Sequence, residues 1–337
     1  MMAKLLQQQY GIKVEGRLKV GMYEAFNNKN ELYLVIPIGH VDQEELKELE
    51  NLSLHLIQNG DRNVCEMVKT KDGLSFAKWG EQSFCVIVNR HPKMAQVKHI
   101  GRKLAKFHLR GRQVSFPVTK LNRIGQWKQF WETRLDQMEK VWTDKLFIPP
   151  ENDFERMFLE SFPYYMGLTE NAIQYLVDTE LDGEPGLIDY GTVCHVKFHG
   201  KTWGDHYIIK NPFDWAFDHC ARDIAEWTRE RYFRNSQTYQ PELIQFIKDY
   251  QTITPLSPFA WRLLYARLLF PLHYFECVEG YYIANSEQQK NLMQDRLKKY
   301  LQHSSDHEHF LAEFFQMAEV PVRKNNIPIV EWLSKIR

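Results

Sequence analysis

Residues 193–227 read VCHVKFHGKTWGDHYIIKNPFDWAFDHCARDIAEW, and this stretch decides how the rest of the chain is understood. Cys194 and His195 lead into a polar loop, Gly204-Asp205 supplies the turn of a short β-hairpin, and Arg222-Asp223-Ile224-Ala225 opens a buried helix. The donors along it suit magnesium poorly. Magnesium takes hard oxygen ligands, usually one or two carboxylates together with substrate phosphates. Asn211 offers one neutral carbonyl oxygen and Thr202 one hydroxyl. Lys197 can neither accept a proton as a carboxylate does nor help to hold a dication, but it can attract an anion without metal.

Other chemistries are weaker still. His195, His199, His206 and His219 invite a zinc reading. However, His195 and His199 flank a loop around Gly200 rather than one helix face, and no cysteine or carboxylate sits beside them at zinc-like spacing. No metal site is expected. Cys194 and His195 are adjacent in an extended segment, so they point to opposite faces and do not form a nucleophile–base pair. Asp205 and Asp214 are too close in sequence, nine apart, to frame an intact two-aspartate site. Asp214 alone, three residues past Asn211, could turn inward and bind a metal.

Outward from this stretch the chain falls into two halves. Residues 10 to 90 alternate in the manner of strands at 32–38, 73–78 and 84–88, around one amphipathic helix carrying Leu46, Leu49, Leu52, Leu56 and Ile57. Asn28-Lys29-Asn30 and Lys71-Asp72-Gly73 are the expected hairpin turns. Asn89 to Pro92 is a connector, and beyond it the pattern is mainly helical. Trp127, Trp131, Leu135, Met138 and Trp142 share one face of a helix over 124–142. Ser257-Pro258 reads as an N-cap followed by Pro at the first helical position, in a helix that Pro271 kinks. Glu45, Glu48 and Glu50 read as a solvated acidic face.

The 337 residues carry 43 basic and 43 acidic side chains, a balance that argues against nucleic acid as a partner. No apolar run at the N-terminus resembles a signal peptide, and the most apolar segment, 259–275, is interrupted by Arg262, Arg267 and Pro271, so no membrane span is expected. Cys65, Cys85, Cys194, Cys220 and Cys277 are scattered and odd in number, as in a reduced intracellular protein. Nine Trp, sixteen Tyr and twenty-one Phe fill a large core or, in part, an assembly surface.

Four landmarks in order carry a resemblance. They are Ile100–His108 with its Leu104-Ala105-x-x-His108, the Cys194–Phe198 loop, Phe217-Asp218 with Arg222-Asp223-Ile224-Ala225, and the aromatic Phe270-Pro271 segment within 268–275. The chain resembles, over nearly its whole length, the CotS-like spore-coat branch of the aminoglycoside-phosphotransferase-like superfamily, and within it the YutH group of spore-forming bacilli. Active relatives carry Cys-His-Gly-Asp-x-x-x-x-Asn, then a hairpin and an Ile-Asp segment. Here Val196 and Lys197 stand where Gly and the catalytic Asp would, and Thr202 falls at the metal-binding Asn. Counting back from Arg222 puts Asn211 at the magnesium-binding Asp. The N-terminal phosphate-binding features are degraded too: Gly16 and Gly21 are the only loop glycines, and the 32–38 strand has no lysine.

The resemblance implies an α+β, two-lobed, protein-kinase-like fold with a β-rich N-lobe over 1–90 and a helical C-lobe over 91–337 that contains the degenerate loop 193–225. It implies no catalytic residue, with His195, Lys197, Thr202, Asn211 and Asp214 marking the altered loop and cleft. His195, Arg222 and Asp223 keep structural roles, Asp223 by accepting hydrogen bonds from the loop backbone. No cofactor is expected, although Lys197 leaves room for ATP or another anion. The function implied is a non-catalytic component of the spore coat, made in the mother-cell cytoplasm and deposited with other coat proteins. The alternative is an atypical ATP-dependent phosphotransferase acting on a small hydroxyl- or amine-bearing molecule.

Overall fold

A computed structural model describes residues 2–334, apart from 22, 41, 95–97, 205 and 206. The chain opens with a short helix α1 (Met2–Leu5) and a π-turn (Leu6–Tyr10). Strands β1 (Gly16–Val20), β2 (Tyr23–Asn28) and β3 (Glu31–Ile38) follow, then helix α2 (Gln43–Gln58) and strands β4 (Glu66–Val68), β5 (Ala77–Trp79) and β6 (Gln82–Asn89). Among the described residues these strands form one antiparallel sheet in the order β1-β2-β3-β6-β4, with β5 also on β6. The period of two in β3 divides its apolar run between two buried faces. Tyr33 and Val35 join Phe26, Phe84, Val86 and Val88 against Leu5, Leu6 and Tyr10, while Leu32, Leu34 and Ile36 are buried on the other face. The Asp42 carboxylate caps α2 by accepting from the N–H groups of Glu44 and Glu45.

Two local expectations change here. The strand expected over 73–78 is reduced to β5 at Ala77–Trp79, and the tight hairpin turn lies at Gly80, whose φ of +65° suits glycine. The acidic face of α2 is not simply solvated. Glu48 accepts from the backbone N–H of Thr119, Lys120 and Leu121 and from the Thr119 hydroxyl at 2.6–3.0 Å. Glu50 pairs with Lys69 at 2.5 Å. Only Glu45 of the three stays exposed.

Next come helices α3 (Ile100–Gly111), α4 (Trp127–Lys145) and α5 (Asp153–Asp182), and strands β7 (Thr192–His195) and β8 (Trp215–Asp218). Helices α6 (Ala221–Arg234), α7 (Gln240–Gln251), α8 (Pro258–Leu269), α9 (Leu272–Tyr282), α10 (Glu287–Gln302), α11 (Ser304–Met317) and α12 (Glu331–Ser334) complete the chain. Two compact units result: residues up to 123 with 190–255, and residues 124–189 with those from 256 onward. In the first, α3 lies so close to β7 that a Cβ at Gly111 would fall 2.6 Å from Thr192 Oγ1 and 2.7 Å from the Val193 nitrogen. In the second, α4 buries Trp127, Trp131, Leu135 and Met138, as the spacing predicts. Pro271 does not kink one helix but separates α8 from α9, because it lacks the N–H and its ring crowds the preceding turn.

The altered loop also differs from expectation. No hairpin forms within 198–210 among the described residues; Asp205 of its expected Gly204-Asp205 turn lies outside them, as does His206. Instead β7 and β8, either side of the whole loop, pair with each other, Thr192 opposite Asp218 and His195 opposite Trp215. Segment 207–211 pairs elsewhere: Ile208 N–H donates to Lys93, Lys210 N–H to Asn63, and Cys65 N–H to Lys210. All five cysteines are free and buried, and no tryptophan is exposed. No helix of the described residues is long and apolar enough to cross a membrane.

Candidate functional site: a degenerate kinase-like cleft

Beneath the loop lies a buried relay of hydrogen bonds centred on Asp223, which is fully buried at the start of α6. Its carboxylate accepts from the His195 backbone N–H at 2.9 Å, from His195 Nδ1 at 2.6 Å and from His108 Nε2 at 3.1 Å. Trp203 Nε1–H donates to His195 Nε2 at 2.9 Å. Indole can only donate, so His195 Nε2 accepts and the ring proton sits on Nδ1, facing Asp223. The Tyr250 hydroxyl meets His108 Nδ1 at 2.8 Å and completes the chain. Burial alone would raise the Asp223 carboxyl, but His195 and His108 outweigh it and hold the group well below the usual carboxylate range. Burial pushes the His108 imidazole down to about 4.

Arg222 fastens the same loop from above. Its guanidinium donates to the carbonyls of His195 and Val196 at 2.8 and 3.0 Å and to Asp218 at 2.9 Å. His195, Arg222 and Asp223 are thus brought together with His108, Trp203 and Tyr250. Asp218 is turned toward Arg222 and the His219 N–H rather than toward solvent. Cys194 Sγ lies 3.9 Å from His108 Nε2, and burial raises its thiol far above the ordinary value. His108, Cys194 and Asp223 place one potential ligand atom each within 4.8 Å of one another. His108 Nε2 is already bonded to the Asp223 carboxylate, and Cys194 Sγ donates to the carbonyls of Asp218 and His219, so the set is accounted for as a hydrogen-bonded network.

Over the relay opens a cleft of about 420 Å³ in the first unit, lined among others by Gly21, Tyr23, Leu34, Lys197, Thr202, Asn211 and Asp214. Lys197, Thr202, Asn211 and Asp214 therefore meet at one place. Gly21, with φ of +57°, lines the cleft, whereas Gly16 sits at the far end of β1 opposite Asn27. Leu34 is the β3 residue on the wall. The Thr202 hydroxyl closes a tight turn, accepting from the His199 N–H at 2.8 Å and donating to the Lys197 carbonyl at 3.3 Å. Asn211 Oδ1 accepts from the Phe213 N–H. Burial raises the Asp214 carboxyl and lowers the His199 imidazole.

One ion pair at this site escapes a linear reading. Lys210, next to Asn211, is 4 % exposed and donates to Asp61 Oδ2 at 2.6 Å, its ammonium 4.3 Å from the Trp203 ring centroid and 4.7 Å from that of Phe107. Arg110 reaches the same Asp61 oxygen at 3.1 Å. Asp61 follows α2, so this pair ties the end of that helix to the segment entering the cleft. The charge of Lys210 directly before Asn211 was the sole sequence signal, and its partner lies 149 residues away.

With this geometry in view, the comparisons with known proteins agree. Residues 3–314 match the family described as "Spore coat putative kinase YutH". The "Endospore coat-associated protein YutH" of Bacillus subtilis (strain 168) is 39% identical over 337 residues, 99% of each chain. This chain belongs to the YutH family. Solved structures place the YutH fold among aminoglycoside-phosphotransferase-like kinases. An aminoglycoside phosphotransferase from Alicyclobacillus acidocaldarius has a TM-score of 0.69 at 13% identity, with 95% of this chain and 97% of that one covered. A microcompartment-associated aminopropanol kinase has a TM-score of 0.59 at 11% identity over 94% and 98% of the two chains. The amicoumacin kinase hAmiN, in complex with AMP-PNP, has a TM-score of 0.58 at 13% identity over 90% and 93%. The α+β, kinase-like fold expected for a YutH protein is therefore present.

Proposed function

We propose that this YutH-family chain is a catalytically degenerate kinase-fold protein that serves as a structural or interaction component of the bacterial spore coat. It would be made in the mother-cell cytoplasm and deposited alongside other coat proteins. The observation that carries the loss of catalysis is the donor set of the cleft. By the resemblance, Lys197 and Asn211 stand where active relatives carry carboxylates; Thr202 is engaged in a turn, and Asp214 is the one acid among the described lining residues. Phosphoryl transfer relies on magnesium held by such groups to neutralise the transferred phosphate. The coat association rests on the family and on the name of the Bacillus subtilis relative. Leu146, Phe147 and Ile148, which are 42 %, 88 % and 56 % exposed, offer apolar surface for coat contacts.

A second reading has one observation in its favour. Asp214 does line the cleft, and a carboxylate there could serve an atypical phosphotransferase acting on a hydroxyl or amine. A thermal melt with and without millimolar magnesium and ATP separates the two. A ligand at about a hundred times its dissociation constant stabilises by roughly 2.7 kcal/mol, a shift of several degrees. The degenerate reading expects no magnesium-dependent shift; a clear one, accompanied by ATP consumption with an acceptor, would replace it with the enzyme reading.

A further inference from the structure

We propose that Phe147 of one copy docks into a hollow beside helix α2 of a second copy, so that the chain associates with itself. The proposal rests on the structural reading above and names one of its partners. The donor side is the turn between α4 and α5. Phe147 is 88 % exposed, the highest value of any large apolar side chain among the described residues, and Leu146 and Ile148 beside it are exposed as well. The turn that carries them is braced: Ile148 N–H donates to the Lys145 carbonyl at 3.1 Å, Glu151 N–H donates to Glu155 at 2.9 Å, and Lys145 pairs with Glu155. Pro149 and Pro150 stiffen the chain between. A side chain held out on a fixed turn loses little freedom on docking.

The acceptor side is a hollow of about 320 Å³ in the first unit, between α2 and residues 73–76. Leu46, Leu74 and Phe76 give it apolar walls. Lys69 is committed there to Glu50 and to the Ser75 hydroxyl. Lys47, also in the lining, is exposed and makes no ion pair among the described residues, so the described lining carries one net positive charge. Asp144 and Glu151, exposed on either side of Phe147, likewise make no ion pair among the described residues. An aromatic anchor between two carboxylates therefore meets an apolar hollow beside a lysine, complementary in both apolarity and charge. The two patches differ, so each copy offers one of each and the contact can repeat from copy to copy.

One anchor and its flanking charges make a small, weak contact, so the test is sedimentation of the full chain from about 10 µM to about 1 mM, where such a contact is populated. The average mass should rise with concentration. F147A should weaken association about tenfold or more. K47E and D144K/E151K should each weaken it severalfold, and the three changes together should restore part of the loss. L187A removes a side chain that is 79 % exposed elsewhere and should change nothing. All these side chains are exposed, and melts of the variants report folding. In a second measurement Phe147 is replaced by photoreactive p-benzoylphenylalanine, and the cross-linked dimer is digested and sequenced by mass spectrometry. Cross-links to residues 43–50 or 73–76 of the second copy are expected; cross-links elsewhere would overturn the docking site. Equal weakening by L187A and F147A would show non-specific association and overturn the proposal. A chain that stays monomeric throughout would overturn it too, while leaving the degenerate reading of the cleft, tested by magnesium and ATP, in place.

Discussion

Replacing Asp223 by alanine tests whether the relay is what orders the loop. The change removes the acceptor of three hydrogen bonds, at 2.6, 2.9 and 3.1 Å, from groups with no access to water. Two imidazole N–H groups and one backbone N–H would be stranded, each at a cost of about 1–3 kcal/mol, for a total of roughly 3–9 kcal/mol. Against a total stability of about 5–15 kcal/mol that is a severe loss. For a cooperative unit of about 150–250 residues, each kcal/mol moves the melting temperature by about 2–4 °C, so even the lower bound lowers it by about 6 °C or more. The assay is differential scanning calorimetry, with near-ultraviolet circular dichroism reporting the packing of Trp203 against His195. D223N retains the volume and one acceptor oxygen, so its loss should be smaller and should keep the near-ultraviolet signal. If D223A melts within about 1 °C of the parent, Asp223 does not order the loop and the reasoning fails.

Two further outcomes follow from the same unit. His108 titrates near 4 when folded against an ordinary 6.5, so the unfolded chain binds a proton in this range that the folded chain refuses. Stability should therefore fall as pH drops from about 6.5 to 4, by roughly 3 kcal/mol, with Asp223, depressed in the folded state, adding a further loss only below the ordinary carboxylate range. Urea titrations across that range should show the decline, and a flat profile would contradict it. For the buried ion pair, D61A strands Lys210 and deprives Arg110, and should cost about 3–5 kcal/mol. K210M leaves Asp61 with Arg110 and fills the space between the Trp203 and Phe107 rings, so it should cost clearly less; equal urea midpoints for the two would refute that order.

The cleft's chemical poverty was legible along the chain, because a residue's donor set is a property of its side chain alone. Lys197, Thr202, Asn211 and Asp214 do share one cleft, since the loop that carries them is closed by a short strand pair. The structural assignment of Asp223 came from its place before Ile224-Ala225, and its three donors are the loop backbone, a loop ring and a ring from α3. The expected hairpin after the loop does not form among the described residues, because local turn chemistry cannot weigh competing partners. Residues 207–211 found theirs at Lys93, Asn63 and Cys65, more than a hundred positions earlier.

Side-chain identity along the chain states which groups are available and which are missing: an apolar β3 without a lysine, an α4 stripe of Trp127, Trp131, Leu135 and Met138, and an altered loop short of carboxylates. Periodicity and side-chain chemistry are local, and they survive being read one residue at a time. Tertiary structure alone decided who answers whom. It gave Glu48 the 119–121 backbone, paired Lys210 with Asp61, and set Trp203 on His195. Burial is the reason: a polar group taken out of water must find its partner wherever the fold brings one, and distance along the chain does not constrain that choice.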